Sequence, residues 1–338
     1  METFTAEQAG ELAVVERSGF VESRHIGSAV VVAPDGETVI RIGAPEVPVF
    51  VRSCLKPLQA LASLELGAPL QGETAAIASA SHKAESGHIR IVKDMLRAGE
   101  LEETDLRCPS VRPADPEYRM LARNHGSEKS PLYYNCSGKH AAFLLAARHN
   151  QLSTADYLDP AHPVQQRVAE VAERLCGSTP VHWGVDGCGA PVPAMPLSLL
   201  ARGISRFSQG CTPDSQRIMD AILAHPWVID GHKKSNATVI EKLGILAKAG
   251  AEGCLVMGTP EGWAVAVKCL DGSGRIGSLV GLQLLIAVGA VPADEALSVL
   301  SDLEKPVTGG TLLDGSLRTV GVIRTGYDVI SAVQNYSR

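Results

Sequence analysis

Apolar positions along the chain follow two different periods. Residues 28–33 and Thr38–Ile42 are short runs rich in Ala, Val and Ile on either side of Pro34-Asp35-Gly36-Glu37, a turn signature, and they predict a β-hairpin. From 53 to 66 the spacing changes to three and four. Leu55, Leu58, Ala62 and Leu66 share a face there, and Gly67 supplies a stop, so a helix is predicted. Pro57 fits that helix only in its first turn, where an amide N–H has no intrahelical partner. Ser53 then stands at or just before the helix start. Helices are also expected over 89–98, 139–148, 163–175, 215–224 and 237–247, with Pro- and Gly-rich loops at 108–117 and 185–196. Residues 254–257 and 263–269 predict a second hairpin around Thr259-Pro260-Glu261-Gly262. Helices at 276–288 and 293–303 and a strand at 319–324 close the pattern. Strands at both ends and helices between them predict an α/β chain of the α+β type. One antiparallel sheet would be assembled from both termini, with flanking helices and an inserted, mostly helical lobe. The expected division is a single unit, 1–338, whose sheet-containing lobe is 1–66 and 249–338 and whose helical lobe is 67–248.

Composition narrows the class. A chain of 338 residues with 45% hydrophobic content can bury a large core, and with aromatics at 4% that core is built from Ala, Val, Leu and Ile. The net charge of −6 and the lack of a basic run speak against nucleic acid as a partner. No apolar run approaches a membrane span. The polar, acidic start Met1-Glu2-Thr3-Phe4-Thr5-Ala6-Glu7 is unlike a secretory signal. With no export signal, the eight cysteines point to a reducing cytoplasm and free thiols.

Two serine–lysine combinations carry candidate chemistry. In Ser53-Cys54-Leu55-Lys56 the spacing of three puts both side chains on one helix face, with Cβ atoms roughly 5–6 Å apart. The second combination joins Ser81, in Ala80-Ser81-His82-Lys83, to Lys248, in Lys248-Ala249-Gly250. A serine hydroxyl attacks only when a base takes its proton, and a lysine serves near pH 7 only if its pKa falls by roughly three units. Burial and a neighbouring cation both push it that way. Each residue also has a plain reading. Ser53 could cap a helix, Lys56 could be solvated, Ser81 could sit in a turn, and Lys248 could complement a helix C-terminus. Asn135-Cys136-Ser137-Gly138-Lys139-His140 and Trp183-Gly184-Val185-Asp186-Gly187-Cys188-Gly189 are compact polar loops with thiols that suit zinc, or are simply unreactive. Gly138-Lys139 lacks the remainder of a P-loop.

Taken in order, Arg52-Ser53-Cys54-Leu55-Lys56-Pro57, Ala80-Ser81-His82, Asn135-Cys136-Ser137-Gly138-Lys139-His140, Asp186-Gly187-Cys188 and Lys248-x-Gly250 resemble the class 3, rhizobial-type L-asparaginases across nearly the whole chain. The resemblance implies a fold like the serine β-lactamases and glutaminases. It implies conversion of L-asparagine to L-aspartate and ammonia, and two Ser–Lys tandems: Ser53 with Lys56, and Ser81 with Lys248. It further implies zinc held by Cys136, Lys139 and Cys188, Asp186 holding the substrate's α-ammonium, Arg52 and His140 lining the site, and a homodimer.

The expected mechanism has Ser53 attack the side-chain amide, with Ser81 and Lys248 as a relay or in exchanged roles. Alternatives are a glutaminase, a β-lactamase-like acyl hydrolase, and a non-catalytic metal-binding scaffold. Thr308-Gly309-Gly310-Thr311 imitates a threonine-nucleophile motif but lies near the C-terminus and is expected to be a turn.

Overall fold

A computed structural model describes residues 1–124, 129–304, 306–313 and 315–336. Its centre is an antiparallel sheet drawn from both ends of the chain. The N-terminal part supplies β1 (Gly10–Arg17), β2 (Phe20–Val32) and β3 (Thr38–Ile42). A short ribbon in between is made from β4 (Val49–Phe50), β5 (His182–Val185) and β6 (Pro191–Met195). The C-terminal part supplies β7 (Leu246–Ala249), β8 (Cys254–Gly258), β9 (Ala264–Cys269), β10 (Val307–Thr311) and β11 (Leu317–Thr325). The main sheet runs β10-β11-β1-β2-β9-β8-β7, with β3 pairing the far half of β2. That half, Ala29–Val32, pairs with both β3 and β9 and is fully buried. A strand covered on both faces reads as an unbroken apolar run rather than an alternation, which is why 28–33 looks as it does.

The helices before β7 form most of the remainder. They are α1 (Lys56–Glu65), α2 (Glu73–Ala78), α3 (Ser86–Ala98), α4 (Pro116–Asn124), α5 (Ser137–His149), α6 (Pro163–Cys176), α7 (Leu197–Ser208), α8 (Pro213–Ala224) and α9 (Ser235–Leu243). After β9 come α10 (Gly277–Ala287), α11 (Ala293–Leu303) and α12 (Tyr327–Tyr336). The sheet is sandwiched. Gly258 leaves room for Ile204 and Ser208 of α7, whereas Leu255 and Met257, pointing the other way along β8, meet Gly277 and Gly281 of α10. No helix among the described residues is long and apolar enough to cross a membrane.

Several expectations need correction. The helix expected over 237–247 stops at Leu243, Gly244 takes a left-handed cap, and the chain re-emerges as the edge strand β7. Lys248 therefore lies in a strand, not after a helix. The 185–196 loop contains β6, and α4 begins inside the expected 108–117 loop. Thr308-Gly309-Gly310-Thr311 lies in β10, not in a turn. Pro57 does occupy the first turn of α1, and Arg52–Leu55 form a 3₁₀ turn just before it.

The small-residue core allows backbones to approach closely. The clearest case joins α5 to α2, where a Cβ on Gly138 would sit 2.5 Å from the Ile77 carbonyl oxygen. This contact sets the start of α5 against the end of α2, just ahead of Ser81. Gly138→Ala should therefore lower stability by about 1–3 kcal/mol. Gly274→Ala, with nothing within 4 Å of its Cβ position, should be nearly neutral. Urea midpoints of the two variants check this, and equal midpoints would contradict the close-approach account.

Candidate active site

Ser81 follows α2 in an extended loop. Its N–H donates to Ile229 O at 2.8 Å, and the next N–H, of His82, donates to Asn135 O at 3.2 Å. The His82 ring braces this loop. Its Nδ1 accepts from Ala84 N at 3.1 Å, so the proton sits on Nε2 and is given to Ser137 Oγ at 2.8 Å, whose hydroxyl in turn donates to Leu132 O. Burial and the neighbouring cationic groups push the His82 pKa well below the ordinary value and keep the ring neutral.

Two lysines meet at the Ser81 hydroxyl. Lys56 enters from the first residue of α1, with Nζ 3.0 Å from Ser81 Oγ. It also donates to Ala80 O, and to Asn135 O at 3.3 Å. Lys248 enters from β7, with Nζ 2.8 Å from the same oxygen and 2.5 Å from Ala249 O. The two lysine side chains are 1% and 0% exposed. Burial, followed by repulsion from Lys56, lowers the Lys248 pKa to about 7. Burial also lowers that of Lys56, but two carbonyls and the Cys136 sulfur favour its charged form. Both pKa values are lowered, but the geometry divides the pair: Lys248 is the amine able to be neutral near pH 7, and Lys56 has the acceptors that favour a cation.

Ser53 is placed differently from the expectation. It lies half-buried on the same cleft wall, and its hydroxyl has no hydrogen-bond partner among the described residues. The pairing of Ser53 with Lys56 is replaced by Lys56 with Ser81. A shared face does not fix where a long side chain ends, and the Lys56 ammonium turns instead to two carbonyls deeper inside, those of Ala80 and Asn135. The cleft holds about 450 Å³ and is lined by Ser53, Ser81, Asn135, Asp230, Asn236 and Gly250, among others.

Asp230 and Asn236 do not stand out in the sequence. Asp230 accepts from Asn236 N at 3.0 Å and Ala237 N at 3.1 Å, capping α9 from outside its ordinary cap position. Asn236 Oδ1 accepts from Ala249 N at 3.1 Å and fixes the strand residue beside Lys248. A cap separated from its helix by four residues leaves no local pattern to read.

Arg52 and Asp186 form an ion pair beside this wall, Nε to Oδ1 at 2.7 Å. Burial opposes ionisation of Asp186, but the Arg52 hydrogen bond and the charges of Lys139 and Arg52 outweigh it and hold its pKa below the ordinary value. Arg52 has φ +50, an uncommon conformation for a residue with a side chain.

Cys136, Lys139 and Cys188 come together behind Lys56. Lys139 Nζ lies 3.2 Å from Cys188 Sγ, and the two sulfurs share a hydrogen bond. That bond and the two nearby lysines push the Cys136 pKa well below the usual thiol value, whereas Cys188 is pushed up. Of the pair, Cys136 is the thiol that ionises more readily. Tetrahedral zinc ligands at ordinary bond lengths lie about 3.6 Å apart, and the one Lys139–Cys188 spacing of 3.2 Å is near that. Two thiols and an amine suit such an ion once Lys139, whose pKa burial lowers but the two cysteines raise on balance, gives up its proton. His140 does not line the cleft. It lies fully buried, its Nδ1 2.7 Å from the Tyr157 hydroxyl, which itself accepts from Arg107 N. The phenol then donates to Nδ1, the imidazole proton is on Nε2, and that nitrogen sits beside the Cys188 sulfur without a conventional partner. This suits support of a metal-bound thiolate.

The chain matches the L-asparaginase II family over residues 13–324. It belongs to that family. A member of it is a hydrolase of amide carbon–nitrogen bonds. No curated protein matches the chain. Among solved structures it is similar to Mglu, at 14% identity, with 78% of this chain and 66% of that one covered and a TM-score of 0.45. Mglu in its glutamate form gives 14% identity, coverage of 78% and 61%, and a TM-score of 0.45. The chain spans less than two-thirds of the length of these structures.

The buried Lys248 has a thermodynamic signature. Its pKa falls from 10.5 in the unfolded chain to about 7 in the fold, so between those values the unfolded state binds more protons and stability rises with pH. Lys248→Met removes that dependence. The variant should exceed the wild type by about 2–4 kcal/mol at pH 7 and lose that margin towards pH 10, as read from urea unfolding at both pH values. A pH-independent margin would contradict the shifted pKa.

Proposed function

We propose that this protein hydrolyses L-asparagine to L-aspartate and ammonia through an acyl-enzyme on Ser81. The observation that carries this reading is a single hydroxyl held at 3.0 and 2.8 Å by two buried amines, one of them with a pKa of about 7. Neutral Lys248 takes the Ser81 proton as Oγ bonds to the side-chain amide carbon. The Lys56 cation steadies the developing charge. The carbon–nitrogen bond then breaks, and Lys248 returns its proton to the departing ammonia. Water attacks the resulting ester, gives its proton to Lys248, and Ser81 leaves with that proton. Ser53 lines the cleft with Ser81 and Gly250, and its N–H, beside Gly250, suits the tetrahedral oxyanion.

The Arg52–Asp186 pair supports an amino-acid substrate. A zwitterion can replace their mutual bond, its carboxylate on Arg52 and its ammonium on Asp186. Zinc would be held by Cys136, Lys139 and Cys188. When bound, its charge would be balanced by the two thiolates, and it would tie residues 136–139 to 186–188. The residues of this chain then set its surroundings, with His140 Nε2 directed to the Cys188 sulfur.

Ser81→Ala should lose at least ~100-fold in kcat for ammonia release while keeping its circular dichroism spectrum, and Ser53→Ala should retain more activity than that. The reverse order would move the nucleophile to Ser53. Parallel assays with L-glutamine, one methylene longer, test the substrate. The kcat/KM of the wild type should rise with pH through about 7 as Lys248 loses its proton; a flat profile from pH 5.5 to 8.5 would remove Lys248 as the base. For zinc, elemental analysis should find the metal in wild type and less of it in Cys136→Ser, and equal contents would remove that site.

A further inference from the structure

We propose that His25, Cys269 and Asp271 form a second metal site, for a divalent transition ion of zinc's kind, outside the catalytic cleft. His25 is in β2, Cys269 is the last residue of β9, and Asp271 follows in the turn. Their donor atoms converge. Cys269 Sγ lies 3.0 Å from Asp271 Oδ1 and 3.9 Å from His25 Nδ1, and His25 Nδ1 lies 3.6 Å from Asp271 Oδ2. One donor atom from each residue lies within 4.8 Å of the other two, so small side-chain adjustments bring the three to the face of a zinc tetrahedron, whose ligand atoms stand about 3.5 Å apart at ordinary bond lengths. The set of nitrogen, sulfur and carboxylate oxygen selects a borderline ion over calcium or magnesium.

The site is built before any ion arrives. His25 is 7% exposed, and its Nε2 finds no partner, so its contacts with Cys269 and Asp271 orient the ring. The turn is pinned by Leu270 N to Ile26 O at 2.9 Å and by Ser273 N to Asp271 Oδ1 at 2.8 Å, which leaves Oδ2 free to ligate. The Asp271 side chain is 58% exposed, so water can complete the shell. Lys268, the one cation on the adjoining residue, is anchored on Glu252 O and Cys269 O, both at 2.6 Å. Against it stand the Asp271 carboxylate and, once a bound metal displaces the thiol proton, the Cys269 thiolate.

Position gives the site a consequence. Cys269 N donates to Gly253 O at 3.0 Å, and Gly253 lines the cleft that holds Ser81. A Cβ on Gly253 would lie 2.8 Å from the Cys269 Cβ, so the two loops move together. An ion here ties β2 to the turn that backs the cleft wall, and it stabilises the native state by mass action.

The test is equilibrium dialysis of the full chain against zinc, followed by elemental analysis, for wild type, Cys269→Ser and Asp271→Ala. Each variant should hold one ion fewer per chain than wild type at equal free zinc, and its zinc-dependent rise in Tm should be smaller. If the cluster around Cys136 is empty, the counts become one and none instead of two and one, so the two sites fail independently. Cobalt(II) gives a second readout: wild type should show a thiolate-to-metal absorption component that Cys269→Ser lacks. Equal zinc content in all three proteins, or cobalt spectra unchanged by Cys269→Ser, would overturn the site. Asp271 is exposed, so its replacement leaves the fold intact even if Cys269→Ser does not.

Discussion

Everything in this protein's interior is arranged around the cost of burying two amines at one hydroxyl. Two ammonium groups cannot both stay charged at hydrogen-bond distance from one oxygen in a dry site without large compensation. The surroundings give one of them more acceptors than the other. Carbonyls of Ala80 and Asn135 and the Cys136 sulfur serve Lys56. Lys248 has the Ser81 oxygen and a single carbonyl, that of its own neighbour, Ala249. The result is two buried amines of unequal surroundings on the same serine, in a chain of the L-asparaginase II family.

The fold holds that arrangement from three directions. Lys56 comes from the start of a central helix, Ser81 from a loop clamped between Ile229 and Asn135, and Lys248 from an edge strand fixed by Asn236. Close approach makes this possible. The Gly138 contact with Ile77 brings the thiol cluster up to the Ser81 loop, and a chain rich in Ala, Val and Gly can pack backbones this tightly. Strain gathers at the same place: Arg52, with its left-handed φ, sits next to Ser53 and bonds Asp186.

Much of this was legible in the sequence. Both hairpins and the helix after residue 53 follow from turn chemistry and period, whereas the grouping of Cys136, Lys139 and Cys188 follows only from the family resemblance. What failed did so for physical reasons. Leu246 and Ala247 extend the apolar spacing of α9, yet Gly244 ends that helix and the same residues become a strand. The run over 191–195, interrupted by prolines, hides β6, a five-residue strand that pairs two shorter ones. Local spacing suggested Ser53 for Lys56, but the destination of a long buried side chain is decided by acceptors brought in from elsewhere in the chain. His140 was drawn to the substrate by its neighbours in the motif, whereas its hydrogen bond with Tyr157 turns it towards the sulfur. The partners of Asp230 and Asn236 are set by tertiary contacts across a loop, and no residue pattern announces them.

The most direct test of the central claim is an NMR titration of the lysine side chains in protein carrying labelled lysine, with Lys248 assigned through Lys248→Met. The account predicts that the Lys248 ammonium loses its proton near pH 7 while Lys56 remains charged at that pH. A Lys248 resonance that stays charged up to pH 10 would contradict it.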